Sequence, residues 1–273
     1  MKGKVGVFVS DSSFSHAACR QLENMGYDVI TFSFEKKVGF GKEIILDFGD
    51  IDGFLNYVRK NGVERLVFAG KIEASSIFKR DISQSGKNFL NGIRDLRPQK
   101  IFEELAGLIV RNKIEILPLT KVFKNHLAEE KIYTISKPDT VQWNDIFNGW
   151  KIAKSIAQLD IGQAVAIKNG MVVAVEAIEG TDAMIKRAGK FCKDFVVVKV
   201  IRSGQDTRFD LPTIGPETVK NLVYAGGKVL AVEAGKTVFI DQERTIRVAN
   251  ENKLVIVGFR GKEIKGDNQG KSR

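Results

Sequence analysis

Short apolar runs alternate with amphipathic stretches along the first half of the chain, and this alternation constrains the fold most. The run Val5–Ser10 is followed by a polar turn and by an amphipathic stretch at His16–Met25, which Gly26 closes. The further predicted elements of this half are strands at Tyr27–Phe32, Arg65–Ala69 and Ile114–Leu117 and helices at Gly53–Lys60 and Pro98–Val110. A strand–helix rhythm of this kind predicts a parallel sheet with helices on its faces.

The rhythm breaks near Ile132–Asp139, and the second half begins differently. Thr140–Leu159 has apolar residues at three-to-four spacing, which predicts one long connecting helix. Asn169-Gly170 then separates two β-rich runs and predicts a type I′ hairpin. Further predicted elements are a Thr-capped helix at Thr181–Cys192, a helix at Pro216–Tyr224, and strands at Phe195–Ile201, Val229–Glu233, Thr237–Ile240 and Leu254–Phe259. We therefore predict an α/β protein with an N-terminal parallel-sheet domain (1–135), a connecting helix (136–160), a C-terminal mixed-sheet domain (161–260) and a flexible tail (261–273).

The residues present limit the chemistry. Forty-three Lys and Arg against 33 Asp and Glu give a formal charge of +10, which predicts a nucleic acid, a nucleotide or an acidic membrane surface as partner. With only two histidines and two cysteines, a multi-histidine zinc site and a thiolate cluster are excluded, and a reduced, cytosolic compartment is expected. Any catalytic metal would need carboxylate ligands, which favours Mg²⁺ or Mn²⁺. No apolar run approaches the length of a membrane span, so we expect a soluble or peripheral protein.

Two turns of the first half follow predicted strands, where open parallel sheets bind ligands. The turn Ser10–Ser15 offers hydroxyls and a helix N-terminus to a phosphate, with Ser10 and Ser12 as candidate contacts, and a plain helix N-cap is the alternative. Gly70-Lys71 could bind an anion, because the glycine leaves the backbone accessible and the lysine supplies a positive charge. An ordinary turn at the end of a strand is the alternative.

Two acidic clusters lie in predicted loops of the second half. In EAIEGTD, Glu176, Glu179 and Asp182 lie three apart at the end of a predicted strand, and a predicted helix begins after Gly180 with Thr181 as a natural N-cap. The segment 204–213 (GQDTRFDLPT) combines carboxylates with an arginine and hydroxyls. Its carboxylates could hold a hard metal or activate water, and Arg208 or Lys199 could balance phosphate charge.

These motifs resemble the LpxI-type UDP-2,3-diacylglucosamine pyrophosphatases of lipid A synthesis. The matching text is LDIGQAVAIKNGMVVAVEAIEGTDAMIKRAG (159–189), VVVK (196–199), GQDTRFDLPTIGPETV (204–219) and AVEAG (231–235), with AGK at 69–71 in the first half. Where relatives carry a glycine-rich turn after the first strand, this chain has SDSSFS, and the GDD-like segment reads SGK at 85–87.

The resemblance implies a Rossmann-like N-terminal domain, a homodimer and Mg²⁺-dependent hydrolysis of UDP-2,3-diacylglucosamine. Water would attack the α-phosphorus and release UMP and 2,3-diacylglucosamine 1-phosphate, at the cytoplasmic face of the inner membrane. The predicted catalytic residues are Asp210, Asp206, Lys199 and Arg208. The predicted metal ligands are Asp210, Asp206, Glu179 and Asp182. The predicted substrate contacts are Gly70, Lys71, Gln163, Gly180, Thr181, Asp182, Thr213, Ser10 and Ser12.

Two alternatives stay open at this point. The +10 charge is compatible with a non-catalytic nucleotide- or RNA-binding protein, although the charge is spread along the chain and no RNA-binding signature is present, so no nucleic acid is expected. The altered first turn is compatible with a hydrolase of the same fold that acts on another nucleotide-diphosphate substrate.

Overall fold

The computed structural model describes residues 2–10, 12–33, 39–47, 49–70, 82–94, 98–202 and 204–262. The chain divides into two compact units, one formed by 1–124 with 206–210 and the other by 125–205 with 211–273. The short piece 206–210 therefore belongs to the unit built by the first half of the chain. Among the described residues, none of the helices combines the length and the apolarity that crossing a bilayer would require.

The first unit is a parallel α/β sheet with the strand order β3-β2-β1-β4-β5. Its strands are β1 Lys4–Phe8, β2 Asp28–Ser33, β3 Lys42–Ile45, β4 Val63–Phe68 and β5 Glu115–Ile116. Its described helices are α1 Ser13–Asn24, α2 Ile51–Asn61, α3 Gln84–Asn91, α4 Pro98–Arg111 and α5 Leu119–Val122. The order reverses between β1 and β4, as in Rossmann-like folds. The predicted N-terminal fold is confirmed.

The second unit contains a five-stranded mixed sheet with the order β12-β10-β8-β6-β7. Its strands are β6 Ala164–Lys168, β7 Met171–Val175, β8 Val196–Lys199, β10 Val229–Glu233 and β12 Val255–Phe259, while β9 Thr213–Ile214 and β11 Val238–Phe239 form a separate parallel pair. Its helices are α6 Thr140–Gln158, α7 Thr181–Ala188, α8 Pro216–Ala225 and α9 Gln242–Glu251. The β6 strand is antiparallel to both neighbours, whereas β8, β10 and β12 are parallel. The predicted mixed sheet is confirmed.

The Asn169-Gly170 turn forms as predicted, and hydrogen bonds to a buried carboxylate stabilise it. Both residues have positive φ (50° and 79°), as a type I′ turn requires. Asp145 of α6, 2% exposed, accepts hydrogen bonds from the backbone N–H groups of Asn169 (2.9 Å) and Gly170 (2.6 Å). The helix predicted between the halves packs on this sheet, where Gly149 lets its backbone approach Val198 closely.

Several elements differ from the sequence prediction. Helix α7 ends at Ala188, with Gly189 as its C-cap, rather than at Cys192. Strands β3 and β9 and helices α3, α5 and α9 were not predicted. Strand β3 has four residues and no fully buried position, and α9 buries only Thr245 and Ala249, so neither has a strong apolar pattern.

Candidate active site

The serines that follow β1 form a hydrogen-bonded network of their own at the carboxyl end of the parallel sheet. Ser12 is the N-cap of α1, and its Oγ accepts from the Ser15 backbone N–H at 3.2 Å. Ser15 is fully buried; its hydroxyl donates to the Ala69 carbonyl oxygen (2.7 Å) and accepts from the Ser10 N–H (3.0 Å). The turn therefore caps a helix and joins the ends of β1 and β4.

Gly70 allows the same two strand ends to approach each other closely. A Cβ atom at Gly70 would lie 2.8 Å from the Val9 carbonyl carbon and 3.1 Å from the Ser10 nitrogen. Backbone atoms cannot move aside as the end of a flexible side chain can, so only glycine fits. Lys71, the other half of the predicted Gly70-Lys71 anion site, lies outside the described residues.

The segment 206–210 is a tight turn organised by its first residue. The Asp206 carbonyl oxygen accepts from the backbone N–H groups of Phe209 (3.0 Å) and Asp210 (3.3 Å). The Asp206 carboxylate accepts from the Arg208 N–H (2.9 Å), from Arg208 Nε (3.0 and 2.9 Å) and from Arg208 Nη2 (2.6 Å). Asp206 and Arg208 thus form a fork-shaped ion pair on the turn, and the side chain of Asp210 is exposed.

Two contacts place this turn at the point where the strand order of the parallel sheet reverses. The Leu119 N–H, at the start of α5, donates to the Thr207 carbonyl oxygen at 3.0 Å. The ring centroid of Phe209 lies 4.8 Å from that of Phe68, the last residue of β4, and Phe68 stacks on Phe8, the last residue of β1, at 4.9 Å. In open α/β sheets, ligands bind in the crevice at this position.

The ion pair sets the charge state of the turn. Burial works to raise the pKa of Asp206, but the hydrogen bonds and the positive charge of Arg208 outweigh it, so that the pKa lies below its ordinary value. The hydrogen bonds to Asp206 raise the pKa of Arg208 against the effect of burial, and the charge of Glu103 adds to the increase. Asp206 is therefore ionised at neutral pH and is neutralised locally by Arg208.

In the second unit, two predicted substrate contacts, Thr181 and Gln163, bind a buried glutamate of the predicted EAIEGTD cluster. Glu176, 4% exposed, accepts from the Thr181 hydroxyl at Oε1 (3.0 Å) and from the Gln163 N–H at Oε2 (3.2 Å). The predicted N-cap role of Thr181 is wrong, because Gly180 occupies the N-cap position with φ 83° and Thr181 turns its hydroxyl to Glu176 instead. Gly180 therefore leaves the N-terminus of α7 without a side-chain cap.

Lys199 and Thr213 lie together at the same edge of the mixed sheet. Lys199, 7% exposed, ends β8 opposite Ala164 of β6 and donates from Nζ to the Thr213 carbonyl oxygen at 3.1 Å. The other two predicted acidic residues are on the surface. Glu179 forms an ion pair with Arg187, and the hydrogen bond from Arg187 is the main cause of the lowered pKa of Glu179. Asp182 is exposed in the first turn of α7.

The predicted metal ligands do not assemble into a preformed site in the part of the chain that the structure describes. There, no three His, Cys, Asp or Glu side chains lie close enough to hold a metal ion. Both carboxylate oxygens of Asp206 are engaged by Arg208, and Glu179 is engaged by Arg187. These two carboxylates do not fit the role of metal ligands in this arrangement.

Sequence reasoning included Glu176 in the EAIEGTD cluster without assigning it a role in the site, and it missed Phe209. Glu176 directly follows the second strand of the hairpin. Phe209 carried a weak signal, an aromatic residue between charged residues in an otherwise polar motif.

Comparisons with known proteins place the chain in a family. The LpxI N-terminal domain model matches residues 4–126 and the LpxI C-terminal domain model matches residues 129–257. A relative from Caulobacter vibrioides, UDP-2,3-diacylglucosamine pyrophosphatase LpxI, is 37% identical over 123 residues, which cover 42% of this chain and 44% of the relative. The match thus spans less than half the length of that relative.

Among solved structures, a glycinamide-RNase-transformylase T from Mycobacterium tuberculosis aligns over 64% of this chain and 44% of its own, at 12% identity and a TM-score of 0.23, which is too low to support an argument. The two domain models, in contrast, together match nearly the whole chain in the order that the family requires. The chain belongs to the LpxI family.

Proposed function

We propose that this protein hydrolyses the pyrophosphate bond of UDP-2,3-diacylglucosamine in lipid A synthesis, releasing UMP and 2,3-diacylglucosamine 1-phosphate. The observation that carries the proposal is the position of the turn 206–210 at the strand-order reversal of a Rossmann-like sheet. Nucleotide ligands bind at this position in such sheets. Family membership and the name of the Caulobacter vibrioides relative indicate which nucleotide conjugate to test first.

Asp210 is the proposed essential carboxylate, because it is exposed on the turn at the strand-order reversal of the sheet. A carboxylate in this position can orient the water that attacks the α-phosphorus and accept its proton. Arg208, held in place by Asp206, and Lys199 are proposed to balance the charge of the phosphates. The proposed substrate contacts are those expected from the sequence: Ser10, Ser12, Gly70, Lys71, Gln163, Gly180, Thr181, Asp182 and Thr213.

A requirement for Mg²⁺ or Mn²⁺ stays a prediction, and we assign no step to the metal. When bound, such an ion would neutralise the charge that develops on the phosphates. Asp210 is the preferred protein ligand, with Asp182 next, because both residues are exposed. Loss of UMP release in a chelator, with recovery on adding Mg²⁺, would support the requirement.

The experiment that tests the proposal uses the purified full chain with Mg²⁺ and UDP-2,3-diacylglucosamine in detergent micelles. We expect UMP and 2,3-diacylglucosamine 1-phosphate in equal amounts. A parallel reaction with unacylated UDP-glucosamine tests the alternative raised by the SDSSFS turn. Faster hydrolysis of the unacylated compound would indicate that the natural substrate is another nucleotide diphosphate. If neither product is released, the proposal is contradicted.

Peripheral contact with the cytoplasmic face of the inner membrane is a further part of the proposal. One surface of the second unit suits it, where the C-terminal ends of α7 and α8 adjoin and Lys193 donates from Nζ to the Ala225 carbonyl oxygen at 2.9 Å. Phe191 and Tyr224 are 71% and 87% exposed there, and Lys186, Lys190 and Lys193 are exposed in the segment that carries Phe191. Exposed aromatic rings among lysines suit an anionic lipid interface. Co-flotation with anionic but not neutral vesicles, weakened by Phe191→Ser, would support this.

A homodimer is also proposed. The strand β7 is an edge of the mixed sheet, and its residues Met171 and Val172 are exposed. Exposed apolar edge strands are prone to pair with another chain. Light scattering of the purified protein would give the mass, and a monomer at micromolar concentration would contradict this part of the proposal.

A further inference from the structure

The aromatic side chain of Phe209 stands out in the turn 206–210 because it points into the core of the first unit. It packs against a hydrophobic cluster whose other members, among the described residues, all precede residue 117. Its ring meets Phe68, and Phe68 is 4% exposed at the end of β4. A residue from late in the chain therefore packs against aromatic residues at the end of the sheet that the first half forms.

The neighbours of Phe209 on the turn are the charged groups proposed to act on the substrate. The Phe209 and Asp210 N–H groups both donate to the Asp206 carbonyl oxygen, and the guanidinium carbon of Arg208 lies 5.5 Å from the Phe209 ring centroid. Because the turn is so short, withdrawal of the Phe209 ring from the core would displace Asp210 and Arg208 with it. The same turn also receives a hydrogen bond from the first half of the chain, from the Leu119 N–H to the Thr207 carbonyl oxygen.

We propose that Phe209 is a positioning residue for the hydrolysis, which fixes Asp210 and the Arg208–Asp206 pair at the strand-order reversal of the N-terminal sheet. It acts through these groups and not by binding the substrate itself. Packing of the Phe209 ring restrains the polar turn 206–210 at that edge of the sheet. The inference rests on the proposed function for its chemical consequence, but the anchoring itself is a separate physical property and can be measured without substrate.

The test compares Phe209→Leu with Tyr57→Leu. Tyr57 is a matched control because its ring is also half-buried against the same cluster, 5.7 Å from Phe32 between ring centroids, while it lies on α2 and outside the turn. Both variants lose one aromatic ring from the same core, so a merely structural role predicts similar effects from the two. Should Phe209→Leu fail to fold, Phe209→Met takes its place.

Two readouts distinguish positioning from general stability. First, kcat for UMP release should fall about 10- to 100-fold in Phe209→Leu, with a smaller change in KM, because misplacing reacting groups by about 1 Å costs this much. Tyr57→Leu should keep a wild-type kcat. Second, hydrogen exchange at the amides of 207–210 and Leu119 should accelerate in Phe209→Leu and not in Tyr57→Leu.

Equal kcat values in the two variants, or unchanged exchange at 207–210, would overturn the positioning role. If the wild-type protein releases no UMP, the proposed function fails, and exchange alone then decides the anchoring. Faster exchange confined to the turn and Leu119 would still support Phe209 as its anchor, and uniform exchange would overturn it.

Discussion

The two units each place a carboxylate-rich edge at the ends of sheet strands, but they use the carboxylates in opposite ways. At the edge of the mixed sheet, Glu176 is buried and accepts two hydrogen bonds from the surrounding chain. At the edge of the parallel sheet, Asp210 is exposed on a turn that is anchored by the Thr207 carbonyl oxygen and by the Phe209 ring. Burial, and not acidity in the sequence, thus distinguishes a carboxylate that stabilises the fold from one that is accessible to a ligand.

The largest expected effect tests the reactive side of this comparison. Asp210→Ala should lower kcat for UMP release by about 10²- to 10⁴-fold, the range typical of lost acid–base groups. The free energy of unfolding should change little, because the side chain is exposed. Steady-state kinetics and urea unfolding of the same preparation measure both quantities. An Asp210→Ala enzyme with full activity would remove Asp210 from the mechanism.

The next effect tests the structural side. Glu176→Ala should lower the free energy of unfolding by roughly 2–4 kcal/mol, since it leaves the partly buried Thr181 hydroxyl and Gln163 N–H without their acceptor. Glu179→Ala is the control, because Glu179 is only three positions away but pairs on the surface with Arg187. Similar stability in the two variants by chemical denaturation would show that burial does not distinguish these carboxylates.

A smaller effect is expected where the strand ends of the parallel sheet meet. Gly70→Ala should cost about 1–3 kcal/mol, because its Cβ would lie 2.8 Å from the Val9 carbonyl carbon. Gly92→Ala serves as the control, since the nearest atom to its Cβ is the Phe89 carbonyl oxygen at 3.4 Å. Thermal unfolding compares them, and an equal melting temperature would contradict the close approach at Gly70.

The smallest effect concerns the Arg208–Asp206 pair. Its contribution to stability should be below about 1 kcal/mol, as is usual for solvent-accessible ion pairs. Because the pKa of Asp206 is lower in the folded protein, this contribution is present above the unfolded-state value of about 3.9 and is lost as the pH falls through the folded-state pKa. Wild type should therefore exceed Asp206→Asn in stability at pH 7 and converge with it in acid. A difference that persists unchanged at low pH would contradict the assignment.

The sequence predicted the parts of the fold that local pattern controls. The positive φ of Asn169 and Gly170 follows from their residue types, and α6 follows from its apolar spacing. Strand β3 and helix α9 were missed because neither buries a large apolar face. Thr181 was misassigned because the same hydroxyl can cap a helix or bond a buried carboxylate, and only the folded position of Glu176 decides between them.

The candidate site was predictable in its residues but not in its assembly. The polar motif of 204–213 pointed to chemistry, and the turns after β1 and β4 pointed to the ligand-binding edge of a parallel sheet. Nothing local to the motif indicates that Phe209 inserts beside Phe68, since that contact joins residues far apart in the chain. Likewise, the binding of Asp206 by Arg208 depends on side-chain geometry that the order of residues leaves open.

The fate of the oxygen from water tests the central claim most directly. The purified chain would hydrolyse UDP-2,3-diacylglucosamine in ¹⁸O-labelled water, and mass spectrometry of both products would locate the label. The account predicts one ¹⁸O atom in UMP and none in 2,3-diacylglucosamine 1-phosphate, because water attacks the α-phosphorus. Label in the sugar phosphate, or no UMP at all, would contradict it.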